Sequence, residues 1–326
     1  MQRFLITGGA GFIGSHLGEA LLAQGKEVFV IDDLSTGSLV NIDHLQSNPK
    51  FHFTKGTVLD RTVVGSLMRQ VDFTYHLAAA VGVELVVKSP VHTIEANVRG
   101  SESVLEEASK CDVGVLLTST SEVYGKSSKP SFHENDDLLI GRPTLGRWSY
   151  ACSKLLDEFL AVAYWRERKL PVHIVRLFNT VGPRQTGRYG MVLPRFVQQA
   201  LRGEPLSIYG DGKQSRCFCH VSDVVRALTE LPNHSESIGE VYNIGSTEEI
   251  TILELAQRIK DATGSQSELR FIPYDQAYAK GFEDMPRRKP STDKIRRALG
   301  WQPTQTLDDI IRRTVEFHRN AASPPR

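Results

Sequence analysis

A glycine-rich turn near the start of the chain constrains the fold more than any other feature. The segment ITGGAGFIGSHL lies between a predicted strand, RFLITG, and a predicted helix, SHLGEALLAQG. Gly8, Gly11 and Gly14 stand in this turn, and Gly9 with the latter two also fits the G-x-G-x-x-G spacing. Glycine lets the backbone turn sharply and approach a pyrophosphate, whose charge meets the amides at the helix start. The turn therefore predicts a dinucleotide-binding βαβ unit, the alternative being a strand–turn–helix with structural glycines.

An acidic residue at the end of the second predicted strand, EVFVIDD, narrows the choice of cofactor. Asp32 lies eighteen positions after Gly14. A carboxylate at this point accepts hydrogen bonds from ribose hydroxyls and repels a 2′-phosphate. We therefore expect NAD rather than NADP, with Asp32 on the ribose. Asp33 is the weaker ribose candidate, and its alternative role is to cap the following loop.

The composition excludes several classes of function. The formal net charge is +1, so no global field attracts nucleic acid or acidic membranes. No run of eighteen apolar residues occurs, so we expect no membrane-spanning helix. The four cysteines, Cys111, Cys152, Cys217 and Cys219, lack the spacing of a disulfide framework or a zinc site. We expect a reduced, cytoplasmic protein without a metal site.

Short β-rich runs alternate with amphipathic helical runs through the first half of the chain. FHFTKGTV, FTYHLA and VGVLLTST follow the first two strands, and HTIEANVRGSESVLEEASK has a helical period between the last two. This alternation predicts an α/β fold of the Rossmann type, a doubly wound parallel sheet covered by helices on both faces. The regularity weakens after Leu177. We assign residues 1–176 to this domain, with 216–240 returning to it, and residues 177–215 and 241–326 to a smaller C-terminal region.

A tyrosine and a lysine share one face of the helix predicted in GRWSYACSKLLDEF. Tyr150 and Lys154 are four positions apart, which places their side chains about 5–6 Å from each other on one helical face. An ammonium and an oxidised nicotinamide ring nearby both favour the phenolate form of a tyrosine. Tyr150 is thus a candidate general base for a substrate hydroxyl, with Lys154 as its partner and a ligand of the nicotinamide ribose. The alternative is a packed tyrosine beside a solvated lysine.

The order and spacing of several motifs resemble the extended short-chain dehydrogenase/reductases that modify nucleotide sugars. TGGAGFIG, YHLAA, STSEVYG, YACSK, RLFNTVGPR and GDGKQSRCF occur as they do in that family, over nearly the whole chain. The resemblance implies an NAD-binding Rossmann domain, a C-terminal nucleotide-sugar-binding region and oxidation of the sugar C4 hydroxyl with recycled NAD. It also implies that Thr120 binds O4 together with Tyr150. A homodimer through a four-helix bundle, using the Glu95–Lys110 and Tyr150–Arg168 helices, is implied as well.

The same resemblance assigns further binding residues. The cofactor-binding set is Gly8, Gly11, Phe12, Ile13, Gly14, Asp32, Asp33, Thr57, Val58, Leu77, Ala78, Ala79, Asn97, Tyr150 and Lys154. Thr57 departs from the family pattern, in which an aspartate binds adenine, and Asn97 is alternatively a helix asparagine bonded to backbone. The substrate-binding set is Asn179, Arg184, Tyr209, Arg216 and Arg288.

The pair Ser121-Glu122 bears on which reaction follows oxidation. The 4,6-dehydratases of the family carry Asp-Glu here, and simple C4 epimerases usually carry a small or apolar residue at the second position. Thr120, Ser121 and Glu122 are most similar to the UDP-glucuronate decarboxylases, as is Arg216, which alternatively binds the diphosphate. We therefore expect a UDP-glucuronate decarboxylase. A nucleotide-sugar C4 epimerase and a non-catalytic NAD-sensing protein are the alternatives, and Glu122 is alternatively a strand-end carboxylate in a salt bridge.

Overall fold

A parallel β-sheet forms the centre of the protein in a computed structural model that describes residues 2–82, 89–186, 191–277 and 283–322. Seven strands of the described residues form this sheet in the order β3-β2-β1-β4-β5-β6-β11, with every neighbouring pair parallel. Their bounds are β1 Arg3–Thr7, β2 Glu27–Asp32, β3 Phe51–Lys55, β4 Phe73–His76, β5 Gly114–Thr120, β6 Val172–Leu177 and β11 Val241–Ile244. The predicted Rossmann-type sheet is confirmed.

Helices cover both faces of the sheet because its strands are apolar on both sides. In β1, Phe4 and Ile6 pack on one face and Leu5 on the other, as the two-residue period of a strand requires. The helices of the described residues are α1 Phe12–Ala23, α2 Arg61–Met68, α3 Pro90–Cys111, α4 Ser149–Arg168, α5 Val192–Arg202, α6 Val221–Glu230, α7 Ile252–Thr263, α8 Tyr274–Ala277, α9 Asp293–Leu299 and α10 Leu307–Ala322. None of these helices is long and apolar enough to cross a bilayer.

The strand order reverses between β1 and β4, and this reversal determines where a ligand can bind. The chain runs outward from β1 through β2 to β3, and then returns to place β4 on the other side of β1. In open parallel sheets a crevice forms beyond the carboxyl ends of the strands at such a reversal. Gly8, Asp32, Leu77 and Thr120 all lie at or directly after the carboxyl ends of strands, on this edge of the sheet.

A smaller region is built from short strands and has its own apolar core. Its strands are β7 Thr180–Val181, β8 Leu206–Tyr209, β9 Ser215–Cys217, β10 Cys219–His220, β12 Glu249–Thr251, β13 Leu269–Ile272 and β14 Arg287–Arg288. They pair as β10-β7, β12-β9-β14 and β13-β8. Side chains of α5, α7 and α10, among them Phe196, Leu255 and Ile311, fill the core of this region.

The domain boundaries predicted at residues 216 and 241 are both wrong. The prediction gave residues 216–220 to the main domain, whereas β9 and β10 pair with strands of the smaller region. The prediction gave Val241–Ile244 to the second region, whereas β11 pairs in parallel with β6 at the edge of the main sheet. Helix α6 packs against α1, and β11 follows it, so the returning segment ends at Ile244 rather than at residue 240. Ile295 and Trp301 lie in the same core as α1, so part of the C-terminal segment packs there too.

Candidate active site

The glycine turn leaves no room for side chains at its closest approaches. Gly8 has φ +71°, and a Cβ added to it would lie 2.9 Å from the backbone of Ala78. A Cβ on Gly14 would lie 2.3 Å from the carbonyl oxygen of Gly8. Within the described residues no side chain caps the start of α1, so the amides of Phe12 and Ile13 begin the helix beside the glycines. This backbone cradle fits a pyrophosphate at a helix start, as a dinucleotide requires.

Asp32 is buried at the end of β2 and organises the same turn. Its Oδ2 accepts from the amide of Ala10 at 2.9 Å, and its Oδ1 accepts from the amide of Leu34 at 2.8 Å. Burial raises the pKa of the Asp32 carboxyl, although these backbone hydrogen bonds oppose the rise. Asp33 accepts from the amide of Ser35 at 2.9 Å, which is the loop-capping role given as its alternative.

The loops after β3 and β4 complete the edge predicted to contact the cofactor. Thr57 and Val58 follow β3, and the Thr57 hydroxyl accepts from the amide of Leu59 at 3.3 Å. Leu77, Ala78 and Ala79 follow β4.

Two polar side chains hold the loop after β4 in place. The amide of Ala78 donates to the Thr7 hydroxyl at 3.1 Å. The buried Asn97 of α3 accepts from the amide of Ala80 at 2.8 Å and donates to Ser153 at 3.0 Å. Asn97 therefore takes the backbone-bonded role given as its alternative and supports this loop through α3 and α4.

Tyr150 and Lys154 lie in the first two turns of α4, beneath the carboxyl end of β5. Both side chains are buried, and the Tyr150 phenol hydrogen-bonds the hydroxyl of Thr120, the last residue of β5. The Lys154 ammonium donates to Asp157 Oδ2 at 2.7 Å. Burial, with the negative charges of Glu122 and Asp157, raises the pKa of Tyr150. The site therefore favours the phenol rather than the phenolate expected from Lys154, chiefly because the ring is buried, and the carboxylates of Glu122 and Asp157 add to the effect.

Glu122 is held between two arginines near Tyr150. Thr120 caps the short 3₁₀ turn Ser121–Tyr124, accepting from the Glu122 amide at 3.2 Å, and this turn buries the Glu122 side chain. Its two carboxylate oxygens accept from Arg147 and, at 3.3 Å, from Arg288. Burial alone would raise the pKa of Glu122, but the two guanidinium groups offset this and hold the pKa below its ordinary value. Glu122 thus forms salt bridges, which is the alternative role that was predicted for it from the sequence.

A second carboxylate joins Arg216 to the same cluster. The Arg216 guanidinium donates to Asp284 Oδ2 at 2.8 Å and to the carbonyl of Met285 at 2.9 Å. The positive charges of Arg216, Arg288 and Arg147 together lower the pKa of Asp284 against the effect of its burial. Burial and the neighbouring Arg216 lower the pKa of Arg288 to about 10. Three arginines thus face two carboxylates, which leaves one excess positive charge for an anionic ligand. We call these five residues the arginine cluster.

Sequence reasoning missed Arg147 and Asp284 as members of this site. Arg147 lies only three positions before Tyr150, in the 3₁₀ turn Gly146–Trp148, and its side chain is almost fully buried. A buried arginine requires a carboxylate partner, but its partner Glu122 lies on another element and no local spacing connects them. Asp284 lies close before Arg288, which was predicted to bind substrate. An acidic residue near a predicted substrate arginine was the sequence signal that could have identified Asp284.

Three predicted substrate residues have other partners in the structure. Asn179 donates to the carbonyl of Cys217 at 2.9 Å and so ties the chain after β6 to β9. The Arg184 guanidinium donates to Glu19 at 2.6 Å, in the second half of α1 rather than in the arginine cluster. The guanidinium of Arg195 lies over the Tyr209 ring, 4.2 Å from its centroid. Their substrate-binding roles stay predictions.

The chain matches a protein-family model and curated relatives over nearly its whole length. The model described as GDP-mannose 4,6 dehydratase matches residues 5–314. A UDP-N-acetyl-alpha-D-glucosaminuronate decarboxylase of Bacillus cytotoxicus is 40% identical over 98% of this chain and 98% of the relative. UDP-glucuronic acid decarboxylase 1 of Danio rerio is 36% identical over 97% of this chain and 72% of the relative.

The structural comparison reaches the same group of proteins. A crystal structure of UDP-glucuronic acid 4-epimerase from Bacillus cereus, in complex with UDP-glucuronic acid and NAD, superimposes with a TM-score of 0.88. It shares 28% sequence identity, over 98% of this chain and 100% of that one. The predicted resemblance is thereby confirmed. The chain belongs to the GDP-mannose 4,6-dehydratase family, among the extended short-chain dehydrogenase/reductases.

Proposed function

We propose that the protein is an NAD-dependent decarboxylase of a UDP-hexuronate, with UDP-glucuronate as the expected substrate. The observation that carries this proposal is the arginine cluster beside Tyr150, in which Glu122 is held ionised by Arg147 and Arg288. Relatives named UDP-glucuronic acid decarboxylase, of which this chain spans 72% and 70%, support it at 36% and 38% identity. The glycine cradle and Asp32 support NAD as the cofactor, which the Bacillus cereus neighbour also binds.

The residues of the site can supply the proton transfers of such a reaction. Bound NAD supplies a hydride acceptor for C4 of the sugar. Tyr150 takes the proton of the C4 hydroxyl as general base, while Thr120 hydrogen-bonds the phenol. The resulting C4 ketone is β to the carboxylate, so the bond to that carboxyl group breaks and carbon dioxide leaves with an enolate behind. Tyr150, now a phenol, donates to the enolate oxygen in the manner of an oxyanion site.

The arginine cluster gives the carboxylate and diphosphate of such a substrate positive partners. Arginine binds these anions through two parallel N–H donors, and its charge does not depend on pH in the physiological range. Arg147 and Arg288 are placed to meet the sugar carboxylate because they already hold the carboxylate of Glu122. Glu122 is held as a carboxylate by these arginines and has no proton to give, so it would position the sugar, and C5 would take its proton from water after carbon dioxide leaves.

A product assay separates this proposal from its alternatives. The purified protein is incubated with NAD and UDP-glucuronate, and NMR follows the sugar while carbon dioxide is trapped. We expect carbon dioxide release and a UDP-pentose or its 4-keto form. An intact carboxylate with inverted C4 would instead identify a C4 epimerase, the activity in the name of the Bacillus cereus neighbour. NAD binding without turnover of any UDP-sugar would identify a non-catalytic NAD-sensing protein.

The substrate in the name of the Bacillus cytotoxicus relative defines a second arm of the assay. That relative is named for UDP-N-acetyl-alpha-D-glucosaminuronate, which carries an acetamido group on the sugar. Running both hexuronates side by side gives the ratio of kcat/KM values, which is the measure of substrate preference. Carbon dioxide release from only the acetamido sugar would support the proposed decarboxylase activity. It would also identify the acetamido hexuronate, rather than UDP-glucuronate, as the substrate.

We also propose a homodimer formed by α3 and α4 of each subunit. These helices pack together, and each exposes apolar side chains, Val91 and Ile94 on α3 and Leu156 and Phe159 on α4. Leu156 and Phe159 are three positions apart on α4, and Val91 and Ile94 are three apart on α3, so each pair lies on one helical face. An apolar face of this kind on two packed helices suits a four-helix bundle with a second copy.

Negative charge introduced into the apolar face of α4 by substitution should separate the two subunits. We expect Leu156→Asp together with Phe159→Asp to convert a dimer into a monomer in sedimentation or light-scattering measurements, because burying two carboxylates is unfavourable. Phe271→Asp is the matched control, since Phe271 is an exposed aromatic residue on β13, away from both helices. A dimer that persists in the double variant would contradict the proposed interface.

We propose a reducing, cytoplasmic setting for the protein. Its four cysteines are free thiols, and two of them, Cys217 and Cys219, are buried. Burial raises the pKa of Cys217 to about 12, which keeps this thiol protonated and unreactive. Unpaired cysteines of this kind are typical of compartments that hold thiols reduced.

A further inference from the structure

A buried carboxylate lies on the face of α4 that carries Tyr150 and Lys154. Asp157 follows Tyr150 by seven positions and Lys154 by three, so the three side chains occupy successive turns of one helical face. Asp157 is fully buried and Lys154 almost so. The distance from Lys154 Nζ to Asp157 Oδ2 is 2.7 Å. This contact is therefore a desolvated ion pair and not a surface salt bridge.

The groups around this ion pair come from three neighbouring elements. Burial raises the pKa of the Asp157 carboxyl, while the Lys154 ammonium and the side chain of Ser101 on α3 oppose the rise. Glu158, the next residue of α4, is paired with Arg176 of β6 at 2.7 Å. His76 of β4 is the further titratable group near Lys154, and burial together with the lysine ammonium lowers the pKa of His76 to about 3. His76 is therefore neutral at physiological pH, and Asp157 is the carboxylate that balances Lys154.

The phenol of Tyr150 has charged neighbours on its other side. Glu122 faces it from the turn after β5, and Arg147 faces it from the turn before α4. These two form an ion pair with each other and act on the pKa of Tyr150 in opposite directions. On the face of α4 that carries Tyr150, the charged groups are Lys154 and Asp157.

We propose that Asp157 is a positioning residue for Tyr150: its carboxylate holds the Lys154 ammonium and balances its charge, so that the phenol form of Tyr150 is favoured. This inference rests on the proposed function, in which Tyr150 is a base for C4 oxidation and then, as a phenol, a donor to the enolate. A group that first accepts a proton and later donates a hydrogen bond needs a pKa that is neither too low for the base nor too high for the donor. An unbalanced ammonium one turn away would favour the phenolate and weaken the donor.

Removing the charge of Asp157 should lower the pKa of Tyr150. Burial is the largest cause that raises this pKa, and the negative charges of Glu122 and Asp157 add to it. In Asp157→Asn the repulsion between Asp157 and the phenolate disappears, and the Lys154 ammonium acts on Tyr150 without compensation. Both changes have the same sign, and we expect the pKa of Tyr150 to fall by about 1.

The pKa of Tyr150 can be followed without cofactor or sugar. Tyrosine labelled with carbon-13 at Cζ reports ionisation of the phenol by NMR, and the Tyr150 signal is the one absent from Tyr150→Phe. In Asp157→Asn this signal should move toward the phenolate position at a pH about 1 lower than in the wild type. Asp157→Glu retains the charge and should restore the wild-type behaviour. The acid limb of the pH profile for C4 oxidation should move to lower pH by the same amount.

Each outcome decides the proposal. An unchanged Tyr150 signal in folded Asp157→Asn would overturn it, because a purely structural ion pair would not alter the phenol. Asp157→Ser is a second variant for the case that the asparagine variant does not fold. Loss of folding in both variants would assign Asp157 a structural role only and also overturn the proposal. Since the NMR titration involves no substrate, a failure of the proposed decarboxylation would leave this result intact and distinguishable.

Discussion

Tyr150→Phe is expected to slow C4 oxidation of the sugar by about 10²–10⁴-fold, the range that a positioned general base contributes. Phenylalanine keeps the buried ring but removes the hydroxyl that bonds Thr120 and would accept the substrate proton. The rate is measured under single-turnover conditions as the absorbance of reduced nicotinamide after UDP-glucuronate is added. Carbon dioxide release should fall in parallel, because decarboxylation requires the C4 ketone.

The control for this prediction is a second tyrosine on the same helix. Tyr164 lies in α4 several turns beyond Lys154, so Tyr164→Phe removes an identical hydroxyl outside the candidate site. We expect its C4 oxidation rate to equal that of the wild type. NAD affinity, measured by calorimetry, should be unchanged in Tyr164→Phe, because Tyr164 lies outside both the glycine turn and the candidate site. A Tyr150→Phe rate within tenfold of the wild type would contradict the assignment of Tyr150 as the base.

The cofactor edge could be predicted from the sequence because its determinants are local. The glycines of the turn act through backbone geometry within a few residues, and a Cβ on Gly14 would collide with the carbonyl of Gly8 in the same turn. The strand alternation likewise follows from residue periods that are visible in the chain. Asp32 was found for the same reason, since it follows a recognisable strand at a fixed spacing from the turn.

The charge arrangement around Tyr150 could be predicted only in part. The i, i+4 rule correctly placed Tyr150 and Lys154 on one face, but Asp157 is also within reach of Lys154 on that face. Burial decides between these partners, because a desolvated ammonium gains more from a carboxylate than from a phenol. Helix spacing alone cannot distinguish the two arrangements.

The arginine cluster was only partly predicted because its contacts join distant parts of the chain. Glu122 and Arg288 were identified separately, through motif resemblance, whereas their contact depends on how the segment around β14 packs over the end of β5. Arg147 has no motif of its own and becomes recognisable only as the partner of Glu122. Strand β11 was missed for a similar reason, since its pairing with β6 joins distant segments.

Glu122→Gln is expected to lower the free energy of unfolding of the ligand-free protein by about 3–5 kcal/mol. The change leaves the buried guanidinium of Arg147 and the partly buried guanidinium of Arg288 without the carboxylate that now pairs with both. Asp284 remains near them but is already engaged by Arg216 at 2.8 Å, so it cannot fully replace Glu122. The measurement is a denaturant titration at neutral pH, with the midpoint and slope compared between variant and wild type.

The pH dependence of this difference follows from the lowered pKa of Glu122. Its pKa lies below the ordinary value of 4.5 in the folded protein, so the unfolded chain binds the proton more tightly. The stabilisation is therefore fully present above pH 4.5 and is lost as the pH falls through the lower, folded-state pKa. The gap between wild type and Glu122→Gln should accordingly narrow below pH 4.5, where the wild-type carboxyl also becomes neutral.

Glu106→Gln provides the matched control, because Glu106 pairs with Arg61 at the protein surface, at 2.5 Å. Exposed pairs of this kind contribute about 0–1 kcal/mol, so this variant should unfold close to the wild type at every pH. A Glu122→Gln variant as stable as the Glu106→Gln control would mean that Arg147 and Arg288 do not depend on Glu122. The proposed reaction adds a functional readout: Glu122→Gln should slow carbon dioxide release more than C4 oxidation, because Glu122 holds the two arginines that would meet the sugar carboxylate, while Tyr150 and Thr120 are unchanged. Equal loss of both steps would place Glu122 in binding of the whole sugar rather than in placing its carboxylate.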